Sequence, residues 1–354
     1  MPRELAKAPA SRQPDSAFGA RLLRDLGFHD WLVGGFVAML AVAALTADPH
    51  PLKARAAARI MVLATTVIGA ILAVRGGFLT GRPLAPFLYR TCVLGGVLGA
   101  YFVLRDLAPV VSPHTLDGAL HALDRAIFGG EPAAWIQRFV TPATTEWFSF
   151  FYLSYFWMLA AYTLPITYGV DREPLISEFA TGMFLIYCIG QTLYLLVPGF
   201  GPYHAFPEMF PAPLPAGPWQ DALMRTVAAG GAQKDIFPSL HTAGPLFLTL
   251  YAFRHRREPL LRIAWPVTAF FAGNILIAAL LLRWHYAIDI AAGVALALVA
   301  FAASVRVPAR ARARRAARGA APLWPPRFTE TPPSPSRRDA TYGHACRPSI
   351  RSHG

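Results

Sequence analysis

Eight blocks of apolar residues constrain this chain more than any other feature. They run approximately over 31–46, 57–74, 87–104, 147–167, 177–197, 239–253, 264–281 and 286–304. A helix needs about 20 residues to span the hydrocarbon core of a bilayer. Backbone amides in lipid must be satisfied within their own segment, so these blocks are expected to be helices. The first and sixth are short, which suggests tilting or partial embedding. No strict alternation of apolar and polar residues points to a barrel. The balance of 55% hydrophobic and only 15% charged residues in 354 agrees with this reading. The expected fold class is an all-α polytopic membrane protein with about eight transmembrane helices. The first apolar block begins too late for a cleavable signal.

Charge sets the expected orientation. The net charge is +13, with arginines gathered near the N-terminus, over Arg254–Arg262 and after residue 305. These clusters abut the spans, so they are read as cytoplasmic anchors under the positive-inside rule and not as a nucleic-acid footprint. Both termini and the loop 75–86 then fall inside. The loops 105–146 and 198–238 and the turn near Leu282 to Trp284 fall outside. Lys53 and Arg55, in an outside loop, conflict mildly with this count. Cys92, Cys188 and Cys346 show no metal or disulfide spacing.

Four regions follow from this organisation. Residues 1–30 are a polar cytoplasmic N-terminus. Residues 31–104 hold the N-terminal transmembrane helices, the third joining the core. Residues 105–304 form a catalytic transmembrane domain with outer-face loops. Residues 305–354, rich in Pro, Arg, Ser and Ala, are expected to be a disordered basic cytoplasmic tail. Within the first outer loop, Leu116, Leu120, Leu123 and Ile127 recur at helical spacing with Asp117, Asp124 and Arg125 off that face. Two short amphipathic helices lying on the membrane, or a packed cap without lipid contact, both fit. The richness in Ala, Arg and Pro suits a bacterial cytoplasmic membrane.

Polar residues at span ends are read as functional first. Three groups fall on the outer side: Gly201-Pro202-Tyr203-His204, Phe237-Pro238-Ser239-Leu240-His241, and Arg283-Trp284-His285-Tyr286-Ala287-Ile288-Asp289. His285 and Asp289 stand four apart, on one face of the eighth span. A carboxylate beside an imidazole fixes its tautomer, leaving the other nitrogen free to attack phosphorus. Pro238 and Ser239 read as a helix start, whose free amides suit an anion. His241 is placed there to give a proton to a leaving oxygen.

Pro238-Ser239-Leu240-His241 followed by His285-x-x-x-Asp289 resembles the type-2 phosphatidic acid phosphatase superfamily, whose usual motifs read Pro-Ser-Gly-His and Ser-Arg-x5-His-x3-Asp. Phe-Pro-Ser-Leu-His and Arg-x-His-Tyr-x-x-Asp look like the inositol phosphorylceramide synthase branch. So do Leu123-Asp124 to Phe128-Gly129, Pro132, Tyr152, Tyr155 and Leu195 to Pro202. The resemblance covers roughly residues 110–303. It implies a six-helix lipid phosphatase or phosphotransferase core, with His285 as nucleophile forming a phosphohistidine, Asp289 orienting it and His241 protonating the departing alcohol. No metal or other cofactor is expected.

The usual Ser-Arg is Ala278-Ala279 here. Arg283 is the expected substitute as phosphate clamp, with Ser239, His204 and Lys234 as further phosphate-binding candidates. Arg75-x6-Arg82-Pro83 mimics another family motif but falls inside, opposite the histidines, and is set aside. The expected partners are a lipid phosphate or phospholipid substrate and the bilayer, with no nucleic acid; oligomeric state stays open. The expected function is phosphoryl or phospho-head-group transfer, inositolphosphotransferase-like. A lipid phosphate phosphatase using water is one alternative. A non-catalytic transporter or scaffold, for which only Gln191 and Asn274 offer mid-membrane polarity, is another. A tail on the far side from the site is expected to be dispensable for activity.

Overall fold

The computed structural model describes residues 18–79, 82, 84–210, 212–230, 233–319 and 323–324. Residues 1–17, Pro83, Cys346 and most of the expected tail lie outside them. The described chain is helical throughout. In order, the helices are α1 (Phe18–Asp25), α2 (Phe28–Thr46), α3 (Lys53–Arg75), α4 (Ala85–Val111), α5 (Asp117–Phe128), α6 (Pro132–Trp135), α7 (Pro142–Gly169), α8 (Glu173–Leu196), α9 (Pro202–Ala205), α10 (Pro218–Ala229), α11 (Leu240–Arg254), α12 (Pro259–Leu281) and α13 (Ala287–Ala317). Each of the eight apolar blocks is one long helix.

Six of these, α2, α3, α4, α8, α12 and α13, are long and apolar enough to cross a membrane. The other two run between the same ends for different reasons. Helix α11 has only 15 residues, about 22 Å at 1.5 Å per residue. Helix α7 has 28 but carries a polar stripe, including Thr145, Ser149, Ser154 and Thr163, that is buried in the bundle. Helix α8 is the central post, buried along most of its length. It packs against α2, α4, α11 and α13.

Ion pairs mark the two ends of the bundle. At one end Arg254 Nε meets Glu178 Oε2 at 2.7 Å, Arg172 meets Glu258 at 2.7 Å and Arg312 meets Glu173 at 3.4 Å. Arg75 is buried there too. Its guanidinium donates to Asp30 (2.9 Å) and Tyr89 (2.8 Å), and to the Leu323 carbonyl (2.9 Å). Arg75 thus touches the chain beyond the C-terminal end of α13, while His285 precedes that helix's start. Helix α13, 31 residues or about 46 Å long, runs from one end of the bundle to the other, so the Arg75 motif is remote from the histidines. At the other end Arg55 and Arg59 both donate to the Asp106 carboxylate. That partner offsets Arg55, one of the two charges whose position conflicted with the loop count, while Lys53 donates to the Ala47 carbonyl.

One expectation is corrected, and one that was left open is narrowed. Helix α13 continues through Ala317, well into the segment read as a disordered tail, and Leu323 and Trp324 are buried in the bundle. The second concerns α5, whose acidic side faces the protein while its leucine side faces out. Asp117 and Asp124 are buried, whereas Leu116, Leu123 and Ile127 are exposed. Only Leu120 turns in, against Ile236 and Tyr286. A soluble surface helix would bury its apolar stripe, so this arrangement suits a helix lying on lipid and not a sealed cap.

Candidate active site

The chemistry-bearing groups gather at the end opposite Arg75. Helix α5 builds the platform. The Asp117 carboxylate accepts the amides of Phe200 (3.0 Å) and Gly201 (2.9 Å) and the Tyr286 hydroxyl (3.1 Å). Asp124 accepts the amides of Ala287 (2.8 Å) and Ile288 (2.7 Å), the first two residues of α13. These amides have no acceptor inside their own helix, and burial raises the Asp124 carboxyl above its usual range while the two amides pull it back. One short helix thus fixes both the 199–201 loop and the start of α13. Gly201 has φ +85°, and a Cβ there would lie 2.2 Å from the Trp284 carbonyl oxygen, so that loop closes tightly on the turn before α13.

His285 lies in that turn, not on the helix. Its amide and that of Trp284 both donate to the Ala279 carbonyl at 3.1 Å, so the residue standing where the family usually has arginine holds the turn with its backbone. Asp289 is in the first turn of α13 and its Oδ2 accepts the Tyr286 amide at 2.9 Å. The same oxygen stands 3.4 Å from His285 Nδ1. The pair therefore meets across a helix cap, although the four-residue spacing suggested one regular face. With Nδ1 turned to Asp289, Nε2 is the ring nitrogen left for the cavity that His285 lines.

His241 comes from the first turn of α11, whose N-cap is Ser239. Its Nδ1 lies 3.2 Å from the Tyr152 hydroxyl, and its ring stacks on Tyr152 (4.2 Å) and meets Tyr155 at a tilt (4.3 Å). Helix α13 packs hard against this start: a Cβ on Gly293 would lie 2.5 Å from the Ser239 carbonyl oxygen. The two imidazole centroids end 6.1 Å apart. One phosphoryl group fits between them, with reacting atoms roughly 3–3.5 Å from each nitrogen.

Both histidines line a cavity of about 610 Å³, roofed in part by Leu223, Met224 and Val227 around α10. Of the four phosphate-binding candidates, His204 alone lines it. Ser239 is buried, and its hydroxyl oxygen accepts from Thr242 at 3.1 Å. Lys234 Nζ donates to the Ser112 and Pro113 carbonyls at 2.9 and 3.0 Å, clipping two loops together, and burial lowers its pKa. Arg283 sits in the turn at φ +68°. Its Nε donates to Gln137 Oε1 at 2.8 Å and its guanidinium lies over the Phe210 ring at 4.3 Å. The expected clamp thus faces the outer loops and is absent from the cavity lining, because the left-handed turn residue swings its side chain away from the path of His285.

The sequence reading missed Asp235 and Tyr101. Asp235 lines the cavity and its Oδ2 accepts the Tyr101 hydroxyl at 2.6 Å. The available signal was an ionisable residue at a span end, six positions before His241. Gln191 and Asn274 are accounted for by packing: Gln191 donates to the Val97 carbonyl at 3.0 Å, and Asn274 accepts from Trp147 at 2.8 Å. Among the described residues no group of three or more His, Cys, Asp or Glu is arranged to hold a metal ion.

Residues 118–303, more than half of the chain, match the sequence model of the PAP2 superfamily. The chain belongs to the PAP2 superfamily. The matched span of this PAP2 protein contains α7 to α12, both histidines and Asp289, and the first half of α13. Neither curated proteins nor solved structures returned a match to it. Membership marks the protein as a multi-pass membrane enzyme of phosphatase or phosphotransferase type.

Proposed function

We propose that this protein transfers a phosphoryl or phospho-head group from a membrane lipid through a phosphohistidine on His285, without a metal ion. The observation that carries the reading is the pair of imidazoles 6.1 Å apart in one cavity, one of them backed by a carboxylate. His285 Nε2 attacks phosphorus while Asp289 stabilises the cation forming at Nδ1. His241 gives its proton to the leaving alkoxide, and in the second half-reaction takes one from the acceptor hydroxyl. The P–N bond then breaks as the new P–O bond forms. The amides at the start of α11 and His204 supply positive potential for the phosphate oxygens. The basic runs Arg254–Arg262 and Arg306–Arg318 lie at the far end, which supports an outer-face site under the positive-inside rule.

The finer reading is head-group transfer of the inositol phosphorylceramide synthase type, with an alcohol as acceptor; hydrolysis differs only in using water. One experiment separates these outcomes. Purified protein in EDTA is given a panel of labelled lipid phosphates and phosphoinositides, with and without an alcohol acceptor. Acid-labile, alkali-stable phosphoprotein that disappears in His285→Ala is expected. Phosphate release alone identifies a phosphatase, and label moving to the alcohol identifies a transferase. Turnover that requires added divalent metal, or a phosphoprotein that survives in His285→Ala, overturns the proposal.

A further inference from the structure

A second cavity, of about 290 Å³, opens off the first and lies between α4 and α7. These two helices are tied at their far ends, where Thr91 and Tyr168 hydroxyls meet at 2.9 Å and Arg90 donates to the Thr167 carbonyl at 2.8 Å. Nearer the site the cavity separates them, and the flanking Phe102, Phe156 and Leu164 are exposed on the lipid side. The inner cavity's walls, with Leu98, Phe102, Leu159, Ala160 and Leu164, are apolar and suit a lipid chain. The two cavities share a neck bounded by Tyr101, Phe102, Phe156, His241 and Asp235.

Asp235 is the unusual member of that neck. A carboxylate is an odd companion for a phosphate, which it repels, and this one has no Lys or Arg partner among the described residues. Lys234, next in sequence, is committed to the 112–113 carbonyls. The Tyr101 hydroxyl occupies one of about four acceptor positions on the carboxylate. The backbone of Asp235 is pinned by a bridge to Gly199, and the Tyr101 hydroxyl holds its side chain. Burial pushes the carboxyl above its usual range, with the Tyr101 hydrogen bond and the nearby His285 working the other way. Besides the Tyr101 hydroxyl its own backbone amide is a donor, and acceptor capacity remains on a carboxylate that lines both cavities.

We infer that Asp235 selects the lipid: the preferred substrate lays a chain in the inner cavity and carries a free hydroxyl, or an N–H, beside its phosphate-bearing carbon, which donates to Asp235. This rests on the lipid-phosphate reading above and narrows its substrate class. A diacyl lipid phosphate offers only ester oxygens at that level. It would leave the carboxylate facing other acceptors. A hydrogen bond to a charged group is worth roughly ten- to hundredfold in discrimination.

The test compares lysophosphatidic acid with the same molecule bearing a methyl ether in place of its hydroxyl, both in detergent micelles. Wild-type kcat/KM is expected to favour the free hydroxyl at least roughly tenfold. The ratio should fall towards one in Asp235→Ala and be partly restored in Asp235→Asn, which keeps a carbonyl acceptor. The affinities of the same two lipids for His285→Ala, followed by tryptophan fluorescence from Trp284 at the cavity wall, test recognition without chemistry. An affinity ratio near one overturns the inference, as does an unchanged kinetic ratio in Asp235→Ala. A tenfold affinity preference in a wild-type protein that turns over neither lipid keeps the inference and sinks the phosphoryl-transfer reading instead.

Discussion

His285 and Asp289 are four residues apart, yet only Asp289 is helical. Its Oδ2 serves the Tyr286 amide and faces His285 Nδ1, so one carboxylate both starts α13 and orients the imidazole. Asp289→Asn keeps a carbonyl oxygen for the cap but loses the charge. It is expected to fold like the wild type while losing about 10⁴-fold in kcat, measured beside thermal unfolding in detergent. An equal loss of stability would make the pair structural. His241→Ala and His285→Ala should each remove turnover with little change in unfolding temperature, since both side chains border a cavity. Arg283 belongs with Gln137 and Phe210, so Arg283→Ala should cost stability more than rate. A fall of about a hundredfold in kcat with unfolding unchanged would return it to the phosphate.

Among the elements, α5 shows what periodicity alone leaves open. Its leucine stripe and its acidic stripe are both plain in the sequence, but periodicity does not say which of them meets protein. In the fold the apolar side is left exposed, and the carboxylates become internal acceptors for the 199–201 loop and for α13. Asp124→Ala strips the acceptor from two amides at the start of α13. A loss of about 1–3 kcal/mol in stability is expected, together with a drop in kcat as His285 loses its fixed turn. Chemical denaturation of the variant checks the first and lipid-phosphate turnover the second. Unchanged values in both would show that α5 does not position the site. Helix α11 was legible only in part: its start at Pro238-Ser239 was clear, but its shortness is tolerated because α7, α8, α12 and α13 surround it.

For the whole molecule, the two ends of the bundle are coupled through α13. The helix carries Asp289 at one end, and at the other Arg312, 3.4 Å from Glu173, and Arg315, 3.5 Å from Asp25. Beyond it the Trp324 ring stacks on His29 at 4.7 Å, beside Arg75, which holds the Leu323 carbonyl. The expectation that everything after residue 310 is dispensable therefore gives way to a sharper one. Removing 326–354 should leave unfolding temperature and activity unchanged. Removing 310–354 should lower the unfolding temperature, because it strips these ion pairs and exposes a buried arginine's partners. Equal behaviour of the two truncations, in a thermal unfolding series, would show that the Leu323–Trp324 contact contributes nothing.

Much of this protein is local and therefore readable from its residues. Apolar blocks of spanning length dictate helices, because a backbone in lipid has no other way to satisfy its amides. Pro-Ser before His241, and His285 with Asp289, announce phosphoryl chemistry because both motifs carry their meaning within a single turn of chain. What the sequence could not express were relations between distant segments. Whether Arg283 turns towards His285 or Gln137 depends on a left-handed backbone angle and on a loop about 146 positions away. Whether Asp235 meets Tyr101 depends on α4 reaching the cavity across 134 residues. Side-chain type sets what a group can do, but direction and distance come from packing, and only packing decided which charged residues reach the cavity and which hold the walls.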